Sequence, residues 1–262
     1  MERVWEEYLD LQVRLFAAAE IELFGRFGLD QSLSPLLDVG CGTGAYASFL
    51  RSKLPNIHLV CVDADKDRLS SLGACLLRDR NIRTKHWSVG VDTPPEDLGA
   101  LRGAIARYVL QYAPDPNRFL RDLAQVLVPG SPVYIIEEDD GLYHSYPPFE
   151  ALDRFLEINQ AWADLYGSTR QMGRKIPLIV KEAGWDIRHV EVLCHANHNL
   201  DALELVRYFE LALRIIAHST PEVVSPEQAA AVAAEMRSYV RQSAGRCFFY
   251  YPQVVTIAVT PG

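Results

Sequence analysis

The sequence predicts an α/β fold: a seven-stranded, mostly parallel sheet with helices on both faces. Three observations carry that prediction. From residue 35 short apolar runs alternate with longer amphipathic ones, the rhythm of strands joined through crossover helices. The short runs are rich in Val, Ile and Leu, as strands covered on both faces must be. The first run ends on a glycine-rich turn, Asp38-Val39-Gly40-Cys41-Gly42-Thr43-Gly44, that leads straight into a helix-forming segment.

In chain order, residues 2–24 come first and are helical in period, because Val4, Leu11, Leu15, Ala18 and Leu23 share a face before Gly25 and Gly28 stop the run. This segment makes residues 1–34 a helical lid ahead of the first strand. Strands are predicted at 35–39, 58–62, 82–87, 103–107, 132–137, 186–193 and 253–260, with helices at 44–53, 66–78, 117–127, 149–166 and 174–182. Asp115 followed by Pro116 suits the start of one helix, and Gly130, Gly167 and Gly184 suit C-terminal stops. Residues 35–193 thus form the core unit. Residues 194–250 break the rhythm with two more helices, 200–217 and 226–243, the second opening on the capping box Ser225-Pro226-Glu227-Gln228. They read as a helical cap inserted before the final strand of the core, which lies in 251–262.

Composition narrows the function. With 262 residues, 49% of them hydrophobic, the chain can bury a large core. Its formal net charge of −8 works against a partner as anionic as DNA, RNA or an acidic membrane. The first ten residues carry five charges and lack the apolar centre of a signal peptide, and no run is long enough to span a bilayer, so a cytoplasmic protein is expected. The five cysteines, 41, 61, 75, 194 and 247, have no ligand spacing and read as reduced thiols. No base is implied beside Cys41, which argues against a nucleophile in the turn. A monomer or homodimer working on a small molecule is the expectation.

The turn itself is G-x-G-x-G, not the G-x-G-x-x-G that receives a pyrophosphate. A nicotinamide dinucleotide is therefore disfavoured. Asp63, at the end of the second predicted strand and 23 residues after Gly40, stands where a carboxylate would meet a ribose diol.

Together these residues resemble the class I S-adenosylmethionine-dependent methyltransferases, a family with a Rossmann-like sheet whose last strand is antiparallel. The resemblance rests on Leu37-Asp38-Val39-Gly40-Cys41-Gly42-Thr43-Gly44, on Asp63, on Ala106-Arg107-Tyr108-Val109-Leu110-Gln111-Tyr112 and on Leu127-Val128-Pro129-Gly130. It covers residues 33–140 well, and Leu178 to Trp185 more loosely. It implies S-adenosyl-L-methionine as cofactor, with Gly40 and Gly42 along its methionine chain, Asp38 at the amino end, Asp63 on the ribose and Ala64 against the adenine. Where the family often has an acidic residue for the adenine amino group, this sequence aligns Ser88 and Val89, so a hydroxyl or a backbone group takes that place.

Methyl transfer needs a base only when the nucleophile arrives protonated. Of the seven histidines, His58, His86 and His189 fall in strands and read as structural. His144, after the fifth strand, and His195 and His198, after the sixth, are candidate bases. Arg107, ending the fourth strand, could clamp an acceptor carboxylate or touch the cofactor, with Glu137-Glu138-Asp139-Asp140 as its natural partner. The metal-dependent branch of the family takes a carboxylate at the Arg107 position, so a metal is not expected. Tyr146-Pro147-Pro148-Phe149 lacks the leading amide or carboxylate of nucleic-acid amino methylases and reads as a helix start. Tyr108, Tyr143, Tyr146, Trp162 and Tyr208 are candidate substrate residues, while Trp5, Tyr8 and Gln12 would close over the cofactor. The expected activity is methylation of a small or medium organic acceptor at oxygen, nitrogen or carbon. A cyclase, or a regulatory module that binds the cofactor without spending it, is the alternative on the same fold.

Overall fold

The computed structural model describes residues 2–70, 72, 76 and 78–262. Helix α1 spans Glu2–Arg26, followed by β1 (Leu36–Val39), α2 (Ala45–Lys53), β2 (Leu59–Asp63), α3 (Lys66–Ser70), β3 (Ile82–His86) and β4 (Gly103–Arg107). Then come α4 (Pro116–Val126), β5 (Pro132–Glu138), β6 (Ser145–Tyr146), α5 (Glu150–Leu165), α6 (Ile176–Glu182), β7 (Asp186–Ala196), α7 (Ala202–Ser219), α8 (Pro226–Ser243) and β8 (Phe248–Val259). Of the helix expected over 66–78, positions 71, 73–75 and 77 lie outside the described residues, Cys75 among them.

The sheet runs β3-β2-β1-β4-β5-β8, with β7 paired to β8 beyond it. Strands β1 to β5 are parallel, and β8 is antiparallel to both β5 and β7. Because β1 sits between β2 and β4, the crossovers leave it in opposite directions, and a crevice opens beyond the carboxyl ends of β1 and β4.

The alternation of side chains along each strand builds two cores. Leu37, Val39, Val60, Val62, Ala104 and Ala106 face Phe119, Leu120 and Leu123 of α4 and Val180 of α6. Leu36, Leu59, Cys61 and Ile105 face the other way, onto Ala47 and Leu50 of α2 and Ala17, Leu23 and Phe24 of α1. A third cluster holds the cap: Leu205, Phe209 and Leu213 of α7 and Val232 and Met236 of α8 pack on Phe155 of α5, Phe16 of α1 and Phe249 and Tyr251 of β8.

Several helix ends form as their residues dictate. Asp115 accepts from the Arg118 backbone N–H at 2.9 Å, and Ser225 and Gln228 complete a reciprocal capping box. The last two long strands are longer than the apolar pattern suggested. β7 continues to Ala196 and β8 begins at Phe248, paired through His195↔Tyr251 and Ala196↔Tyr250. The ladder carries on through polar and aromatic residues because β8 offers a continuous partner there. His195 therefore belongs to a strand, not to the start of the cap. No described helix is long and apolar enough to cross a membrane.

Candidate active site

The turn after β1 is tied to β2, with the Gly40 and Cys41 N–H groups both donating to Val62 O at 2.8 and 3.0 Å. Gly40 and Gly42 have φ of 68° and 55°, a left-handed backbone that side chains resist. A Cβ on Gly40 would collide with Val109, whereas one on Gly42 would find its nearest neighbour, Leu9 Cδ1, at 3.5 Å. Asp63 braces the turn from behind, as its Oδ2 accepts from Gly42 N–H at 2.8 Å and its Oδ1 from Asp65 N–H at 2.9 Å. Asp38 is only 2% exposed and its Oδ2 has no hydrogen-bond partner among the described residues. Burial above all, with the nearby Asp63 charge adding and Arg107 opposing, raises its pKa to about 7.

Above this turn lies a cavity of about 360 Å³. It runs from Asp38, Gly40 and Gly42 past Arg107 and Tyr108 to Tyr143, Phe155, Trp162 and Tyr208 beneath the cap. Trp5, Tyr8 and Gln12 of α1 form one wall. The structure thus gathers most of the residues the sequence singled out for cofactor and substrate into one space.

Arg107 is spent differently from expectation. Its Nε reaches Glu20 Oε2 at 2.9 Å, its Nη2 reaches Glu20 Oε1 at 3.0 Å and its Nη1 donates to Gln12 Oε1 at 2.6 Å. Burial works to lower the pKa of this guanidinium, and the Glu20 charge, helped by hydrogen bonds, more than restores it. The Arg107 guanidinium also stacks on Tyr46 and Tyr108 at 4.9 and 4.8 Å. Its partner is therefore a carboxylate on α1, not the acidic run after β5. Tyr108 itself has φ 55°, and a non-glycine residue held there is strained and firmly placed.

The acidic run has partners of its own. Glu137 is buried and its Oε1 accepts from the Val109 and Leu110 N–H groups at 2.8 and 2.7 Å, which fixes the loop after β4. Burial first, then the neighbouring Glu138 charge, raises the Glu137 pKa to about 8. Glu138 Oε1 takes Arg170 Nη1 and the Gln111 amide, and Asp140 takes Arg170 Nε at 3.1 Å. Arg174 pairs with Asp139. Arg170 and Gln111 both line the cavity, yet neither stood out in the sequence. Arg170 follows a glycine stop in an irregular stretch, with no spacing to mark it. Among the described residues no group of three or more His, Cys, Asp and Glu is arranged to hold a metal.

Other expectations are displaced. None of His144, His195 and His198 lines the cavity. The short pairing of Ser145 with Phe249 and Tyr146 with Phe248 lays that loop along β8. In such extended backbone neighbours point opposite ways, so Tyr143 faces the cavity while His144 is exposed, and Tyr146 is 76% exposed. His198 is exposed against Phe248. His195 is buried, packs at a tilt against Phe16 with ring centroids 4.6 Å apart and bonds Gln253 Oε1 at 2.5 Å. Its burial lowers its pKa. Asp63, Ala64, Ser88 and Val89 also lie off the cavity lining, Asp63 because its carboxylate turns back to the Gly42 and Asp65 N–H groups. The Ala64 carbonyl meets His86 Nε2 at 3.0 Å, and the Ser88 N–H meets Asp92 Oδ2 at 3.2 Å.

Residues 37–133 match the family described as a methyltransferase domain. Among curated proteins no sequence matches. Solved structures share the fold at low identity. A protein of Bacillus halodurans described as a methyltransferase superposes with TM-score 0.60 at 13% identity, covering 94% of this chain and 100% of its own. Haemonchus contortus phosphoethanolamine N-methyltransferase 2, solved with phosphomonomethylethanolamine and S-adenosylhomocysteine, gives TM-score 0.56 at 16% identity over 94% of this chain and 53% of its own. The chain therefore spans about half the length of that enzyme. The cyclase SpnF gives TM-score 0.55 at 18% identity, over 89% of this chain and 77% of its own.

Proposed function

We propose that this chain is a class I S-adenosylmethionine-dependent methyltransferase that binds S-adenosylmethionine at the β1 turn and methylates a small or medium organic acceptor held under its cap. The observation that carries the reading is the single cavity joining Asp38 and the glycine turn to the aromatic chamber of Tyr143, Phe155, Trp162 and Tyr208.

The residues at the turn suit this ligand. A buried carboxylate with one partnerless oxygen is matched by an ammonium group, and Asp38 supplies it. Gly40 and Gly42 carry no side chain that would fill the surface beside it. Asp63 holds the turn in shape through Gly42 and, having further lone pairs, can accept from a ribose hydroxyl. The cofactor supplies an electrophilic methyl on a sulfonium. Glu20 cancels the Arg107 charge, so the guanidinium can sit in the wall without repelling that cation. Arg107 in turn keeps α1 and Tyr108 in place, and the catalytic work of the chain is to align two bound reactants.

Calorimetry with S-adenosylhomocysteine tests the first half of the proposal, and absence of saturable binding would overturn it. Incubation with methyl-labelled cofactor and cell extract, followed by mass spectrometry, tests the second and locates the label. A product formed with no S-adenosylhomocysteine released would replace transfer by cyclisation.

A further inference from the structure

The chemistry of the acceptor follows from which polar atoms at the capped end of the cavity already have partners. Its hydrogen-bond acceptors are mostly taken, the amide oxygen of Asn159 excepted, whose Nδ2 donates to Asp140 at 3.3 Å. Glu138 Oε1 receives Gln111 and Arg170, and its Oε2 receives the Tyr251 hydroxyl at 3.2 Å. Both oxygens of Asp140 face Arg170, and the Gln111 amide oxygen accepts from Arg170 Nη1 at 3.2 Å. No described histidine lines the space, and Asp38, the lining carboxylate with an open oxygen, stands at the turn where the proposed cofactor's ammonium would take it.

The donors are not all used. Arg107 can only donate, which fixes the Gln12 amide with its oxygen toward Arg107 and its Nε2 donating to Tyr208 at 2.9 Å. The Tyr208 and Tyr8 hydroxyls are 2.7 Å apart, and that one bond consumes one of their two protons. Whichever hydroxyl donates, a second O–H remains without a protein acceptor. The Tyr143 hydroxyl, on a side chain nine-tenths buried, makes no hydrogen bond among the described residues. Trp162 Nε1 is a buried donor with no partner among the described residues. Burial raises the pKa of Tyr8, Tyr143 and Tyr208, so all three remain protonated donors at neutral pH.

Surplus donors, mostly occupied acceptors and ring walls select a ligand by complementarity. We infer that the acceptor is a flat organic molecule bound through its oxygens as a phenolate or enolate, seated between the Tyr143 hydroxyl and the Tyr8–Tyr208 hydroxyl pair. This inference rests on the methyl-transfer reading above. With Glu138 occupied by its donors and Asp38 matched to the cofactor's ammonium, the acceptor loses its proton to solvent before it binds. The anionic oxygen or carbon then forms a bond to the sulfonium methyl, the carbon–sulfur bond breaks, and sulfur keeps the electron pair as a neutral thioether. The two opposite charges are consumed together, and no proton moves within the protein.

The test uses a chromogenic nitrophenol and the whole protein saturated with S-adenosylhomocysteine, following the phenol-to-phenolate absorbance against pH. The expected result is saturable binding with the apparent pKa of the bound probe lowered by about one unit, since donors that favour the anion tenfold shift it that far. Tyr143→Phe should weaken nitrophenolate binding about tenfold while leaving affinity for S-adenosylhomocysteine unchanged, which also shows that the variant is folded. The inference is overturned if the probe binds only as neutral phenol, if benzylammonium binds in its place, or if S-adenosylhomocysteine binds and the probe does not. Failure of S-adenosylhomocysteine itself to bind would instead remove the proposed function, and this inference with it.

Discussion

Replacing Glu20 tests the most heavily invested contact in the molecule. The side chain is fully buried, its partner Arg107 is 7% exposed, and the carboxylate also accepts from Gln253 Nε2 at 2.6 Å. Glu20→Leu removes three hydrogen bonds to the guanidinium and leaves its charge more than nine-tenths buried in the cavity wall, without its carboxylate. Breaking a buried pair from one side costs about 3–5 kcal/mol, because the remaining ion keeps its desolvation penalty and loses its compensation. For a chain of this size that is a fall in Tm of roughly 6–20 °C. Urea denaturation followed by tryptophan fluorescence measures the free energy, and calorimetric scanning measures Tm. The double variant Glu20→Leu with Arg107→Met separates charge from packing, since an apolar pair of similar volume removes the stranded ion. It should recover most of the loss. A single variant that loses less than about 1 kcal/mol would refute the reasoning, as would a double variant no more stable than the single.

Three further predictions follow from the site. Asp63→Ala strips the brace from Gly42 and should weaken S-adenosylhomocysteine binding by about 1–3 kcal/mol, measured by calorimetry; Gly40→Ala, whose new methyl collides with Val109, should abolish it. Asp38 has a carboxyl pKa raised by folding, to about 7, so the native state binds the extra proton and unliganded stability should fall as pH rises from about 4 to about 7. Asp38→Asn should flatten that fall in denaturation curves at pH 5 and pH 8, and in the wild type the affinity for S-adenosylhomocysteine should drop below pH 7, where the ammonium must displace the proton. His144→Ala and His198→Ala should leave labelled turnover within about twofold of wild type, since both side chains are exposed outside the cavity. A tenfold loss in either would return a histidine to the chemistry.

Local patterns carried the parts of the fold that depend on nearby residues. The turn from Asp38 to Gly44, the N-cap at Asp115 and the capping box at Ser225 are each set within a few positions, and each forms as its residues require. The inner strands β1, β2, β4 and β5 were legible because burial on both faces forces a largely apolar run, whereas β3, Ile-Arg-Thr-Lys-His at the sheet edge, is only partly buried. What escaped depends on pairing over long separations. The partner of Arg107 lies 87 residues away on a helix whose apolar stripe gave no reason to notice one glutamate within it. Arg170 meets Glu138 from an irregular segment, and only the folded chain sets them together. The histidines were misplaced for a related reason. After a strand the sequence reads as loop, but the long ladder of β8 extends β7 and captures the residues beyond β5, turning His195 inward to Gln253 and His144 outward.

The continuity of α1 has a mechanical consequence. Its Glu20 end is locked into the interior by Arg107 and Gln253, and twelve residues earlier Tyr8 stacks on Tyr208, with ring centroids 4.7 Å apart. A helix rises 1.5 Å per residue, so one stiff rod of about 18 Å joins the two contacts. Such a rod cannot swing away like a hinged door, because tilting it at the mouth levers on the ion pair at its base. Traffic into the cavity must then come from the first turns of the rod, around Trp5, coming undone, or from the cap sliding over it. Shortening the chain toward residue 20 would remove a beam of the building along with its porch.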